Sequence, residues 1–285
     1  MKNKQTQHLL LLNFGMLCLS TSGVLGRLIE LPPPLIIWYR AFFALLFIGA
    51  FCWWKKYDFR FDVKEHGVTI LLSGVFMAGN FVCYFYALQW SNVAIGMLAL
   101  FTFPVMTTLL EPLFFKTKFQ LMHLILAGMV LLGIYFLAPS FDMDNSMTQG
   151  LFIGLVSAFS WTLRNLLMKR KITAFNSSIL MFYQLVVCAL VLLPVLFIFE
   201  MEHVPSQIPY LLFLGLVTTA IGHTLFLNSF NHFSVSTASI MSSIQPIFGI
   251  IVAMLVLGEI PSGRSMIGGA LILLTVVIES RRSMK

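Results

Sequence analysis

Residues 89–112 read QWSNVAIGMLALFTFPVMTTLLEP. A polar turn, Gln89 to Asn92, opens onto eighteen residues without a charge before Glu111. About 20 helical residues at roughly 1.5 Å each cross a hydrocarbon core of about 30 Å. The stretch therefore reads as a membrane-crossing helix, with Pro104 in its middle denying the backbone one donor. The pattern returns later in the chain. FNHFSVSTA at 230–238 is a second brief polar turn, Pro246 again stands mid-run 142 residues after Pro104, and Val93 and Val235 share that offset. Earlier in each half WYRAFFALL at 38–46 answers FYQLVVCAL at 182–190, pairing Tyr39 with Tyr183 and Arg40 with Gln184.

Working outward, the whole chain is built of such runs. Hydrophobic residues make up 59% and charged residues 10% of the 285, and the mean hydropathy is +0.91, so lipid and not water is the main solvent. Expected spans lie near 8–28, 33–54, 67–90, 93–115, 119–139, 149–169, 175–199, 208–230, 233–257 and 263–279. Basic residues in short loops favour the cytoplasmic side. With the N-terminus inside, 14 of the 18 Lys and Arg residues fall inside, among them Lys55, Lys56, Lys116, Lys118, Arg170 and Lys171. Only Arg27 and Arg264 fall outside, and Arg40 and Arg164 lie within spans. This alternation supports an even count with both termini cytoplasmic, and it accounts for the net charge of +7 without nucleic acid as a partner.

The expected fold is an all-α membrane protein of ten transmembrane helices in two five-helix repeats, 1–140 and 141–285, forming one membrane domain. An odd number of crossings per half inverts the second half relative to the first. Inverted repeats are the architecture of many secondary transporters, whose substrate sites lie near the midplane between the halves.

QPIFGIIVAMLVLGE at 245–259 and the glycine-rich MIGGALILL at 266–274, together with the paired halves, make the chain resemble the EamA family of the drug/metabolite transporter superfamily. The first half keeps Pro104 but has Lys116-Thr117 where the second has Gly258-Glu259. The resemblance implies a ten-helix carrier working by alternating access, often exporting amino acids or related metabolites, in a bacterial cytoplasmic or inner membrane.

Ionisable groups inside a membrane are costly and point to function or to structural pairing. Arg40 lies about 9 Å inside the outer end of its span, where its planar fork suits a substrate carboxylate; the alternative is that it snorkels outward or pairs with Glu30. Glu111 and Arg164 fall at similar depth on the cytoplasmic side, an ion pair serving as a gate or as a lock between helices. Asn80, Tyr84, Trp161 and His223 are further substrate-binding candidates, since an amide, an indole and an imidazole need partners that lipid does not supply. Asn80 and Tyr84 share a helix face, as do Thr219 and His223. Most hydroxyls, Ser20, Thr21 and Ser22 among them, are expected to bond to their own backbone. Pro104 and Pro246 are candidates for hinges or ligand-facing breaks, or are plain structural kinks. Gly263, Gly268, Gly269 and Ala270 suit close helix packing within the chain or in a homodimer, and Trp38, Trp53, Trp54 and Trp90 suit an interfacial belt.

Cys18, Cys52, Cys83 and Cys188 show no metal-ligand spacing, and no cofactor or metal is expected. No phosphate-binding G-x-x-x-x-G-K-[ST] motif occurs, so ATP hydrolysis by this chain is not expected. The expected partners are a small-molecule substrate and the bilayer. An amino acid or related zwitterion is the first choice of cargo, with uptake of a larger aromatic metabolite or vitamin second. A channel, a sensor or a membrane-embedded enzyme is the competing class.

Overall fold

The computed structural model describes residues 2–60, 63–115, 121–138, 142–169, 176–229, 232, 242 and 244–283. The second polar turn with Val235, the start of the ninth expected span, the 140/141 boundary and the basic residues Lys116, Lys118, Arg170, Lys171 and Lys285 lie outside the described residues.

Among the described residues every regular element is helical. The first half contributes α1 (Lys2–Leu28), α2 (Pro33–Trp54), α3 (Val63–Trp90), α4 (Val93–Leu100), α5 (Phe103–Phe115) and α6 (Leu121–Leu137). The second contributes α7 (Ser146–Lys169), α8 (Ser177–Val191), a single turn α9 (Val195–Ile198), α10 (Val204–Phe213) running through a π-helical stretch (Leu214–His223) into α11 (Thr224–Ser229), then α12 (Gln245–Leu257) and α13 (Gly263–Ser283). Seven helical runs are long and apolar enough to cross a membrane, and Leu124–Leu137, Gln245–Leu257 and Gly263–Ile278 are shorter apolar helices.

Large apolar side chains face outward on many elements: Leu113 on α5, Leu131 on α6, Leu190 on α8 and Leu255 on α12 are all exposed, Leu255 at 81%. A water-soluble chain of this size would not present so much oil on its outside. Polar groups are gathered inside instead, Arg40, Asn80, Arg164, Gln184 and Thr219 each being at most 2% exposed. That inversion is what a lipid solvent dictates, because a polar group facing hydrocarbon finds no partner.

Of the readings open for the prolines, the structure shows a break ahead of Pro104 in place of a kink in a continuous helix. The fourth span is two helices, broken at Phe101 and Thr102, and Pro104 occupies the first turn of α5. Pro246 occupies the first turn of α12. In a first turn the missing N–H has no intrahelical partner to lose and the fixed φ suits the helix. The proline inside α5 is Pro112.

α3 packs most extensively on α7, and α13 on α6. In the last helix Gly268 lies against the Gly133 backbone of α6 and Gly269 against Leu98, so these two serve packing within the chain, whereas Gly263 has open space beside it and Ala270 is exposed. Trp38 donates its indole N–H to Ala189 O at 3.1 Å and joins the helix contacts, whereas Trp53 and Trp54 are exposed where α2 ends.

Candidate functional site

The site is assembled around Arg40. Three consecutive prolines at 32–34 pre-set the entry of α2, Pro32 preceding the helix and Pro33 opening it, which fixes the register of Arg40 two turns on. Opposite runs the π-helical stretch, whose wider turns keep Thr219 and His223 on one face. Its Gly215 touches α2 so closely that a Cβ there would meet Phe43 Cβ and the Ala44 nitrogen. This approach delivers both acceptors to the guanidinium: Arg40 Nε donates to Thr219 Oγ1 at 2.6 Å and Nη2 to His223 Nε2 at 3.2 Å. A guanidinium only donates, so Nε2 of His223 must be the acceptor and the ring proton belongs on Nδ1. The Arg40 carbon also stands 4.1 Å above the Phe81 ring, a cation–π contact that is strong where water is excluded. Arg40 is 1% exposed, and neither outward snorkelling nor pairing with Glu30 occurs.

A second buried cation stands close by. Arg164 of α7 is 0% exposed and donates from Nε and Nη2 to Gln184 Oε1 of α8, at 3.1 and 2.5 Å. Its guanidinium covers the Trp161 ring at 4.6 Å. The ion pair expected between Arg164 and Glu111 is not formed. The side-chain amide of Gln184 occupies the guanidinium instead, and the salt bridge among the described residues joins Arg27 to Glu259. Trp161 in turn packs against His223 at 5.6 Å between ring centroids, and His223 against Phe81 at 5.2 Å. Arg40, His223, Trp161 and Arg164 are thus one continuous line of contacts.

A cavity opens beside this line with a volume of about 40 Å³, room for about three waters in this conformation. Its walls come from both halves: Ser22 of α1, Asn80, Phe81 and Tyr84 of α3, and Phe101 and Phe103 at the α4/α5 break face Trp161, His223, Phe226 and Gln245. The structure therefore gathers Arg40, Asn80, Tyr84, Trp161 and His223 around one space. It places Arg164 behind Trp161, leaves Glu111 out of the wall, and brings the first turns of the Pro104 and Pro246 helices to the rim through Phe103 and Gln245.

The roles of these residues differ. The Asn80 amide donates to Ser157 O and Oγ at 3.0 and 2.8 Å, and Ser157 Oγ donates back to Asn80 O, a closed set that joins α3 to α7. Tyr84 lies beside Ser22, whose own proton goes to Leu19 O. Its hydroxyl is buried at the cavity with no hydrogen-bond partner among the described residues. Ser20 and Thr21 bond back to Leu17 O and Cys18 O. Sequence reasoning missed Phe81 as the platform for Arg40 and Gln184 as the acceptor for Arg164. Nothing marks one Phe among 28, whereas Gln184 had a signal in its register with Arg40.

At one end the helices are stapled. Arg27 Nε meets Glu259 Oε1 at 2.9 Å and its Nη1 donates to Gln89 O at 3.0 Å. Glu259 Oε2 accepts from Val93 N at 2.8 Å, and Asn92 Oδ1 accepts from Ile95 N at 2.9 Å. Two side chains thereby cap α4, Glu259 being turned back by Gly258 at φ +67°, a left-handed conformation natural to glycine.

Compared with known proteins, residues 7–138 and again 148–281 match the sequence pattern of the EamA-like transporter family. A protein of Archaeoglobus fulgidus described as an uncharacterized transporter is 28% identical over 246 residues, 86% of each chain. One of Haemophilus influenzae with the same description is 21% identical over 221 residues, 76% of this chain and 72% of that one. A crystal structure superimposes with a TM-score of 0.69 at 17% identity, covering 98% of this chain and 99% of the other.

Proposed function

The chain belongs to the EamA-like transporter family, within the drug/metabolite transporter superfamily, and on that premise we propose that it is a secondary carrier moving a small metabolite across a membrane by alternating access. The observation that carries this reading is the cavity walled by helices of both matched regions and backed by Arg40. A site shared between two halves is exposed to either side by rocking one half against the other.

In this reading the seven long runs and three shorter apolar helices make ten crossings, five per family match, and the second half is inverted. The charge asymmetry supports cytoplasmic placement of both termini, and a bacterial cytoplasmic membrane is the proposed location. Reporter fusions check this: cytoplasmic signal at both ends fits, and opposite sides would defeat the even count. Arg40 anchors a carboxylate-bearing cargo, an amino acid or a related metabolite, and export is the favoured direction. Uptake of a larger aromatic compound is the second reading, favoured by the Phe81, Phe101, Phe103, Trp161 and Phe226 wall.

Flux into proteoliposomes tests the carrier mechanism. Saturation with substrate and counterflow are expected; conduction that rises without limit would make the protein a channel.

A further inference from the structure

We propose that the cavity takes a net-anionic organic compound, one carrying a carboxylate or phosphate and no ammonium group; the word cargo here rests on the carrier reading above. This narrows the substrate class from amino acids and their relatives to the relatives without the amine. Four observations converge on it.

The first is charge balance. Arg40 and Arg164 are both buried, and their acceptors are a hydroxyl, an imidazole, amides and a thioether, all neutral. Of the eleven Asp and Glu residues only Glu111 and, as the last residue of the final span, Glu279 fall inside expected spans, and Glu111 forms no salt bridge with either arginine. Two cations on one line of contacts therefore share the interior with no counter-charge among the described residues. A buried ion without a partner is costly, and an oxyanion on the cavity side of Arg40 supplies what the chain does not.

The second is backbone geometry. α5 and α12, of 13 residues each, both begin at the cavity. No side chain caps α12, and the hydroxyl of Thr102, just ahead of α5, is spent on Ala99 O. Two helix N-termini without a side-chain cap among the described residues face the same space, each carrying partial positive charge. The third is Tyr84, 4% exposed and lining the cavity, with an orphan hydroxyl that donates to an oxyanion as readily as to water. The fourth is what the wall lacks. Among the described residues no Asp or Glu lines it to receive an ammonium. The Phe81 and Trp161 rings, the obvious cation–π platforms, already carry guanidinium groups.

Four probes with one phenyl body and different charge test this: 3-phenylpropanoate, phenyl phosphate, phenylalanine and phenethylamine. Thermal stabilisation of the purified full-length protein reads binding, since a ligand specific to the folded state raises its melting temperature by mass action. Saturable stabilisation by one or both anions is expected, and their relative affinities tell carboxylate from phosphate. Phenylalanine and phenethylamine should bind at least about tenfold more weakly. Arg40→Gln should lower anion affinity by about tenfold or more, and Tyr84→Phe, which removes one hydroxyl and no volume, by severalfold with the unliganded melting temperature unchanged. Should Arg40→Gln fail to fold, Tyr84→Phe and Arg40→Lys carry the test.

Phenylalanine or phenethylamine binding as tightly as the anions overturns the proposal. So does the absence of binding by any probe up to about 10 mM, or an anion affinity unchanged in every variant. Anion binding without flux in proteoliposomes would defeat the carrier reading and leave the site standing. Saturable flux of a zwitterion or cation without anion binding would do the reverse.

Discussion

At the scale of single residues, Arg164 and Gln184 show how a charge is kept inside this protein. Gln184 Oε1 takes two donors from one guanidinium, and its own amide reaches Ser73 Oγ at 3.3 Å. Gln184→Leu strips Arg164 of its best acceptor and should cost about 1.5–3 kcal/mol, the value of hydrogen bonds to a charged group. Arg164→Met combined with Gln184→Leu removes both ends and should recover most of that stability; unfolding in detergent measures both, and a double variant worse than either single one would contradict the assignment. A double-mutant cycle separates this from the expected partner: Arg164 with Gln184 should couple by about 0.5–3 kcal/mol, and Arg164 with Glu111 hardly at all. Arg40 and Arg164 were legible in the sequence because an ion within an apolar run has few explanations. Their partners were not, since a guanidinium accepts many acceptors and one-dimensional spacing does not choose among them.

At the scale of elements, the informative features are breaks and close approaches. A proline in mid-helix costs about 3 kcal/mol, so replacing it there would stabilise the protein. In the first turns of α5 and α12 Pro104→Ala and Pro246→Ala should instead change stability by less than about 1 kcal/mol. A stabilisation near 3 kcal/mol in either variant would restore the kink interpretation. Gly215→Val pushes two methyl groups at Phe43 and Ala44 of α2 and should cost about 1–3 kcal/mol, while drawing Thr219 and His223 off Arg40; anion affinity should fall with stability, and unchanged affinity would show that the π-helical face does not set the site. Proline positions could be read from the sequence. Whether each kinks a helix or starts one depends on the break ahead of it, which hydropathy does not resolve.

At the scale of the whole molecule, the staple of Arg27, Glu259 and Val93 joins α1, α4 and the end of α12. Arg27 and Glu259 are 34% and 21% exposed, so their pairing contributes no more than about 1 kcal/mol to the fold. In a two-state carrier about 1 kcal/mol shifts the ratio of conformations by roughly fivefold. Glu259→Gln, which keeps an acceptor for Val93 N, should leave the melting temperature nearly unchanged and alter the transport rate by up to about that factor. A large loss of stability with an unaltered rate would make the staple purely structural.

The sequence by itself determined that the chain is helical, lives in lipid and has two related halves, because hydropathy, basic-residue asymmetry and proline spacing are properties of each segment in its own solvent. It also marked Arg40, Tyr84, Trp161 and His223, since polar groups in apolar runs need partners. The tertiary structure alone decided who those partners are: Thr219 and His223 for Arg40, Gln184 in place of Glu111 for Arg164, and no described partner for Tyr84. Those outcomes turn on how helices distant in the chain are rotated and how closely they approach, set by contacts such as Gly215 on Phe43. No local pattern encodes that geometry.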